Sequence, residues 1–171
     1  MRPGLRQLTR CGWLLMAALL AVAADTRAQN TLTQNEAVTF VVAAQAKLTL
    51  SLTTLTFPNA DPDTVTTIQA NEGPMTITAS ARFASGQGIL TVLASDDLRS
   101  GMNTILVSAL KWTASGSGFV GGTMSNSAAQ TVAAWNTSGS YTGIVTFTLD
   151  NSWSYAIGNY GTTLTYTLST P

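Results

Sequence analysis

From residue 75 onward the chain is written in steps of two. "MTITASARF" places Met75, Ile77, Ala79, Ala81 and Phe83 on one face. "YTGIVTFTL" does the same with Val145, Phe147 and Leu149, and "TLTYTLS" with Leu164, Tyr166 and Leu168. A period of two is the signature of a pleated strand with one apolar face. Further strands are expected at "ILTVLA" after the loop "ASGQG", at "TILVSALKWTA" over 104–114, and at "AQTVAAW" over 129–135. Shorter extended pieces are expected at 55–57 and 65–70. No long segment carries apolar residues at helical spacing opposite a charged face. Spacers such as "NADPDT", "SDDLRSG", "SGSGFVGG" and "NTSGS" are turn-rich. The pattern predicts an all-β protein, an immunoglobulin-like antiparallel β-sandwich of about eight strands. A barrel is the other closed arrangement, but strands apolar on one face only suit two packed sheets.

The first predicted strand is too long. Val38, Phe40, Val42, Ala44, Ala46, Leu48, Leu50 and Leu52 occupy every even position. One unbroken register over that span would reach about 50 Å, against roughly 17–20 Å for an ordinary strand. Two readings follow. The strand bends at Ala43–Ala46 and passes between sheets, or 36–44 is an extension that completes another subunit's sheet. The expected core is Phe40, Leu48, Leu50, Ile77, Phe83, Val92, Trp112, Val145, Phe147, Leu164, Tyr166 and Leu168. "TLTYTLS" is expected to be an internal strand paired by "IVTFTLD" at 144–150, with Pro171 ending the ladder because it has no amide hydrogen.

The N-terminal residues follow a different pattern. Arg2, Arg6 and Arg10 precede the apolar run "GWLLMAALLAVAA", and small residues follow at Thr26 and Ala28. Residues 1–28 read as a secretory signal cleaved after Ala28, with Ala23 or Ala24 as competing sites. The alternative, a retained anchor helix, meets an apolar run of about 13 residues where a span needs roughly 20. Residues 29–171 then form a single domain, secreted or at the cell surface, with no membrane span in the mature chain. Cys11 precedes the apolar run, the wrong side for a lipid anchor. It is the only cysteine and there is no histidine. Four basic and seven acidic side chains leave the mature chain at −3, which argues against nucleic acid as a partner. Without disulfides, an exported domain rests on its core alone.

Chemistry is narrowed by what the chain lacks. Without an imidazole, Ser–His catalysis has no base. Thiol chemistry and the usual zinc, copper and haem ligand sets are missing. The carboxylate pairs Asp61/Asp63 and Asp96/Asp97 lie in turn-like sequence, where Asp bonds its own backbone; a glycosidase pair is the competing reading. "NADPD" spaces Asn59, Asp61 and Asp63 like a calcium loop. However, Thr64 and Ala70 stand where Gly and Glu are required. The expectation is therefore no enzyme, with catalytic residues none, cofactors none and metal sites none. Trp112 and Trp135 sit in strand-like runs and are expected in the core. Trp153 and Tyr155, in the loop-like "NSWSYAIGNY", are the candidate ligand-binding aromatics. "NTS" at 136–138 is a glycosylation sequon.

"LTLSLTTLTFPNADPD" near the start and "GNYGTTLTYTLSTP" at the end resemble the WxL-type surface domains of bacteria. Tyr160, Leu164, Thr165, Thr167, Leu168 and Pro171 match that ending, with Tyr166 where tryptophan is expected. This resemblance implies attachment to peptidoglycan. The ending is also similar to the last strand of spore-coat-U-type and chaperone–usher pilus subunits, which usually carry a disulfide that this chain cannot form. Both resemblances imply an immunoglobulin-like sandwich outside the cell. The functional expectation is a noncatalytic structural or adhesion protein, an assembly subunit using strand addition, with other protein subunits as partners. The alternative is a glycan- or cell-wall-binding module.

Overall fold

The computed structural model describes residue 34 and residues 36–171. The expected signal, 1–28, lies outside the described residues. The chain divides into two units, Met1–Thr39 and Phe40–Pro171. Residues 36–39 of the first form no helix or strand. The second is the sandwich.

Its elements are β1 (Gln45–Leu50), β2 (Thr67–Gln69), β3 (Met75–Arg82), β4 (Gly88–Ala94), β5 (Leu98–Ser100) and β6 (Asn103–Ile105). A single 3₁₀ turn (Val107–Ala109) precedes β7 (Leu110–Ser115), β8 (Gly122–Thr123), β9 (Gln130–Trp135), β10 (Gly139–Asp150) and β11 (Leu164–Ser169). Eleven strands replace the expected eight or so because four of them are pieces of two or three residues. One sheet runs β1-β3-β10-β7-β8, with β2 also on β10; the other runs β11-β4-β9; β5 and β6 form a small ribbon. Every pairing is antiparallel. The order β1-β3-β10-β7 over β11-β4 is that of an immunoglobulin-type sandwich. In that plan a further strand flanks β11; among the described residues β11 pairs with β4 alone.

The alternation read from sequence explains the core. Met75, Ile77, Ala79 and Ala81 of β3 point inward, as do Leu90, Val92 and Ala94 of β4 and Val145 and Phe147 of β10, all at most 5% exposed. Trp112 and Trp135 are buried as expected, and Trp112 meets Phe147 with ring centroids 6.5 Å apart. Their indole N–H groups donate to the Val120 and Ser117 carbonyls at 2.9 and 3.0 Å. The Gly/Ser loop 115–122 thus folds back to satisfy two buried donors. Gly118 sits at φ +80°, and a Cβ there would collide with the Ala134 carbonyl and the Trp135 indole. Only glycine combines that backbone with that closeness.

Several expectations are corrected. "TLTYTLS" is β11, but it lies at an edge and pairs with β4 in the other sheet, not with 144–150. β10 is instead filled on both sides by β3, and by β7 and β2. The run 104–114 is broken: β6 ends at Ile105 and the 3₁₀ turn intervenes before β7. Residues 55–57 form no strand. β1 begins at Gln45 and stays within one sheet, so the bend between sheets does not occur. Phe40 is 83% exposed and is no part of the core. Leu48, Leu50, Phe83, Leu164, Tyr166 and Leu168 are half-buried. In their place Met75, Leu90, Met124, Val132 and Ala133 are fully buried.

Candidate functional site

The half-buried residues gather along one seam. β1 is the edge of the larger sheet and β11 the edge of the smaller. Leu48 and Leu50 of β1, Leu52 just beyond it, and Leu164, Tyr166 and Leu168 of β11 all pack on the core while remaining partly open. One strand inward, the equivalent positions on β3 and β4 are sealed. Between β1 and β11, therefore, side chains of core type face a cleft. A cavity of about 310 Å³ there is lined by Leu50, Leu52, Leu55, Phe57, Met75, Leu98, Leu110, Tyr160, Leu164 and Tyr166. Burial in this apolar seam pushes the Tyr166 phenol well above its ordinary pKa. β1 uses one edge for β3 and β11 one edge for β4. Each leaves its other row of backbone donors and acceptors facing the seam.

The segment before β1 has the complementary character. Residues 40–44 form no strand, and Phe40, Val41 and Val42 are 83%, 83% and 59% exposed. Phe40, Val42 and Ala44 share a face by their period-two spacing. They continue directly into Gln45 with no Gly, Pro or Asn at which the chain could reverse. The segment cannot fold back as a hairpin on β1 without a turn.

The two candidate aromatics are not a matched pair. Trp153 is 71% exposed and its indole N–H donates to Asp63 Oδ1 at 2.9 Å. Tyr155 is half-buried; desolvation raises its phenol pKa, nearby Asp150 adds to this and Lys111 opposes it. The ring–ring contacts of the sandwich involve Trp112, Phe147, Phe119, Trp135 and Tyr141 instead. The carboxylates are engaged in turns. Asp61 Oδ1 accepts from the Asp63 amide at 3.0 Å. Asp96 accepts from the Asp97 amide and from Arg99, whose guanidinium holds the carboxyl below its ordinary pKa. Asp97 Oδ1 accepts from the Val107 amide at 2.9 Å. Among the described residues no three Asp, Glu, His or Cys side chains come together as a metal set, and no helix is long and apolar enough to cross a membrane.

The seam escaped sequence reasoning, although its parts did not. Both edge strands read as ordinary amphipathic strands, and only their positions in the sheets reveal that nothing covers them. No protein-family model matches the chain, and no curated protein matches it significantly.

Proposed function

We propose that this is an exported, noncatalytic structural subunit that assembles by strand addition: residues 36–44 of one copy occupy the seam between β1 and β11 of another. The observation that carries this reading is the apolar seam. A sheet edge with unpaired backbone on both sides and core-type side chains beneath it is what an added strand requires. The segment 36–44 supplies alternate apolar side chains of the right period and has no turn with which to serve its own chain. The first 28 residues, read as a secretory signal, put the process outside the cytoplasm. Deleting 29–44 tests it. The shortened chain should fold, remain monomeric and bind a synthetic 36–44 peptide with a rise in melting temperature. A shortened chain that unfolds, or one that ignores the peptide, would overturn the proposal.

A second reading, a glycan- or cell-wall-binding module, is favoured by one observation: the exposed Trp153 ring is held in place by Asp63. Trp153→Ala should abolish retention on a glycan array or on isolated cell wall. Equal retention of the variant would remove it.

A further inference from the structure

The charges of the sandwich are sorted to its two ends. Ala46, Ala81 and Gly139 share a row at one end of β1, β3 and β10. Asp150 and Thr67 mark the other, eleven residue steps along β10 from Gly139, about 35 Å at strand rise. Lys47 and Arg82 lie at the first end, both exposed, with Ser80, Ser138 and Ser140 beside them in a shallow depression. No Asp or Glu side chain of the sandwich joins them. Pro171 also sits at this end, beside Gly86 of the loop between β3 and β4.

The second end holds the carboxylates. Asp150 closes β10, and the Asn151 side chain ties it to the loop of Asp61 and Asp63 through the Ala60 and Val65 carbonyls. Glu72 stands just before β3. β4 starts at the Arg82 end after a five-residue loop and runs back, so Asp96 and Asp97 follow it at the second end. Arg99 and Lys111 pair with Asp96 and Asp150, leaving a clear excess of negative charge.

The segment 36–44 joins β1 at the basic end. It can enter a neighbour's seam from either end. β1 runs away from the basic end, whereas β11 runs from Leu164, opposite Ala94, back toward it. Either entry therefore makes one antiparallel and one parallel edge, and backbone pairing does not choose. Charge does. Entry from the neighbour's basic end sets two Lys47/Arg82 patches face to face and carries Glu36 toward the carboxylates. Entry from the acidic end sets unlike charges together and carries Glu36 toward the neighbour's Lys47 and Arg82.

We propose that the Lys47/Arg82 end of one copy docks on the carboxylate end of the next, so that strand addition proceeds head to tail. This rests on the strand-addition reading and adds a direction to it. A heterologous contact of this kind is not two-fold, so the product is a head-to-tail series of copies, open or closed into a ring, instead of a two-fold swapped pair.

The test uses the mature chain, refolded from urea, with growth followed by light scattering and species sized by multi-angle scattering. Lys47→Glu with Arg82→Glu should slow growth about tenfold at low ionic strength. The difference should shrink at about 0.5 M salt, where screening is short-ranged. Lys47→Arg with Arg82→Lys should grow at the wild-type rate. A fluorescent 37–44 peptide, which lacks Glu36, should bind wild type and the reversed variant equally, showing that both seams are intact. Wild-type growth by the reversed variant at low salt, or a closed dimer as the sole product, would overturn the head-to-tail contact while peptide binding leaves strand addition standing. Loss of peptide binding by the wild-type chain would overturn both.

Discussion

Phe40 and Phe147 should respond oppositely to the same truncation, depending on whether the seam is filled. Phe147 is 1% exposed and packs against Trp112 in the centre of the sandwich. Phe147→Ala should cost about 3–5 kcal/mol in any state, from lost burial plus the cavity left behind. Phe40 is 83% exposed in its own chain, so Phe40→Ala should change the monomer by less than about 0.5 kcal/mol. Now append residues 36–44 after Pro171 through a short Asn-Gly turn, and delete the natural copy. β11 ends near Gly86 at the basic end. The appended strand therefore returns along the seam antiparallel to it, in the direction proposed for the assembled chain. Phe40 then enters the cleft bordered by Leu50, Phe57 and Tyr166. In that form Phe40→Ala should cost about 1.5–3 kcal/mol, the worth of one buried aromatic side chain. Urea titration at low protein concentration reads both values, since the slope reports whether the exposed surface has changed. The reasoning fails if Phe40→Ala destabilises the monomer as Phe147→Ala does, because the segment would then belong to its own core. It also fails if Phe40→Ala is silent in the appended form.

Removing 162–171 should unfold the monomer, because β11 carries half of the smaller sheet's pairing to β4; circular dichroism reads this. Gly143→Ala should destabilise by about 1–3 kcal/mol, since the new methyl group would press on the Phe119 ring in a sealed part of the core; thermal melts check it. Asp96 and Glu72 are held below their ordinary pKa, the first chiefly by Arg99 and the second by Thr56. A depressed carboxylate stabilises the fold above its unfolded pKa, so stability should fall as pH drops below about 4–5, and Arg99→Gln should flatten that acid limb. Tyr166 is shifted upward by burial. It favours the fold while protonated, so stability should decline above about pH 10, and Tyr166→Phe should remove that alkaline decline.

What could be read in advance was set by local side-chain order. Alternation in β3, β4 and β10 is a property of neighbouring residues, so Ile77, Val92, Val145, Phe147 and the two buried tryptophans were legible. Sheet partnership is not local. "TLTYTLS" and "IVTFTLD" carry the same alternation and are joined by a loop that allows a hairpin, yet they lie in different sheets. β10 is occupied on both sides by β3, β7 and β2, and no edge remains for β11. The break at Leu106 was hidden for a related reason. "TILVSALKW" keeps apolar spacing that a strand, or a strand interrupted by a 3₁₀ turn, can bury equally well. Phe40 was misplaced because period two predicts which side chains share a face, not whether anything covers that face. The surplus length of 36–52 was the one visible sign of the seam.

An open seam is a liability before it is a device. β1 and β11 leave unpaired backbone beside half-buried Leu and Tyr side chains, the arrangement that natural sheets avoid because it recruits stray strands. The usual defences are missing here. Neither strand has a proline within it, neither has a bulge, and Lys47 is the only charge on either. The edge at β8 is treated differently: it is two residues long, Gly122 and Thr123 after Gly121, too short to template anything. One edge is thus blunted and the seam is not. The outward faces that flank it are Thr and Ser, with Thr78–Thr142 and Ser80–Ser140 hydroxyl pairs across β3 and β10. Such a face offers an added strand little competition for the apolar seam. A single added strand would pair an open edge and cover half-buried side chains of the seam. The carboxylates are already engaged in turns, whereas the seam has no such internal partner, and this contrast is why we propose strand addition there.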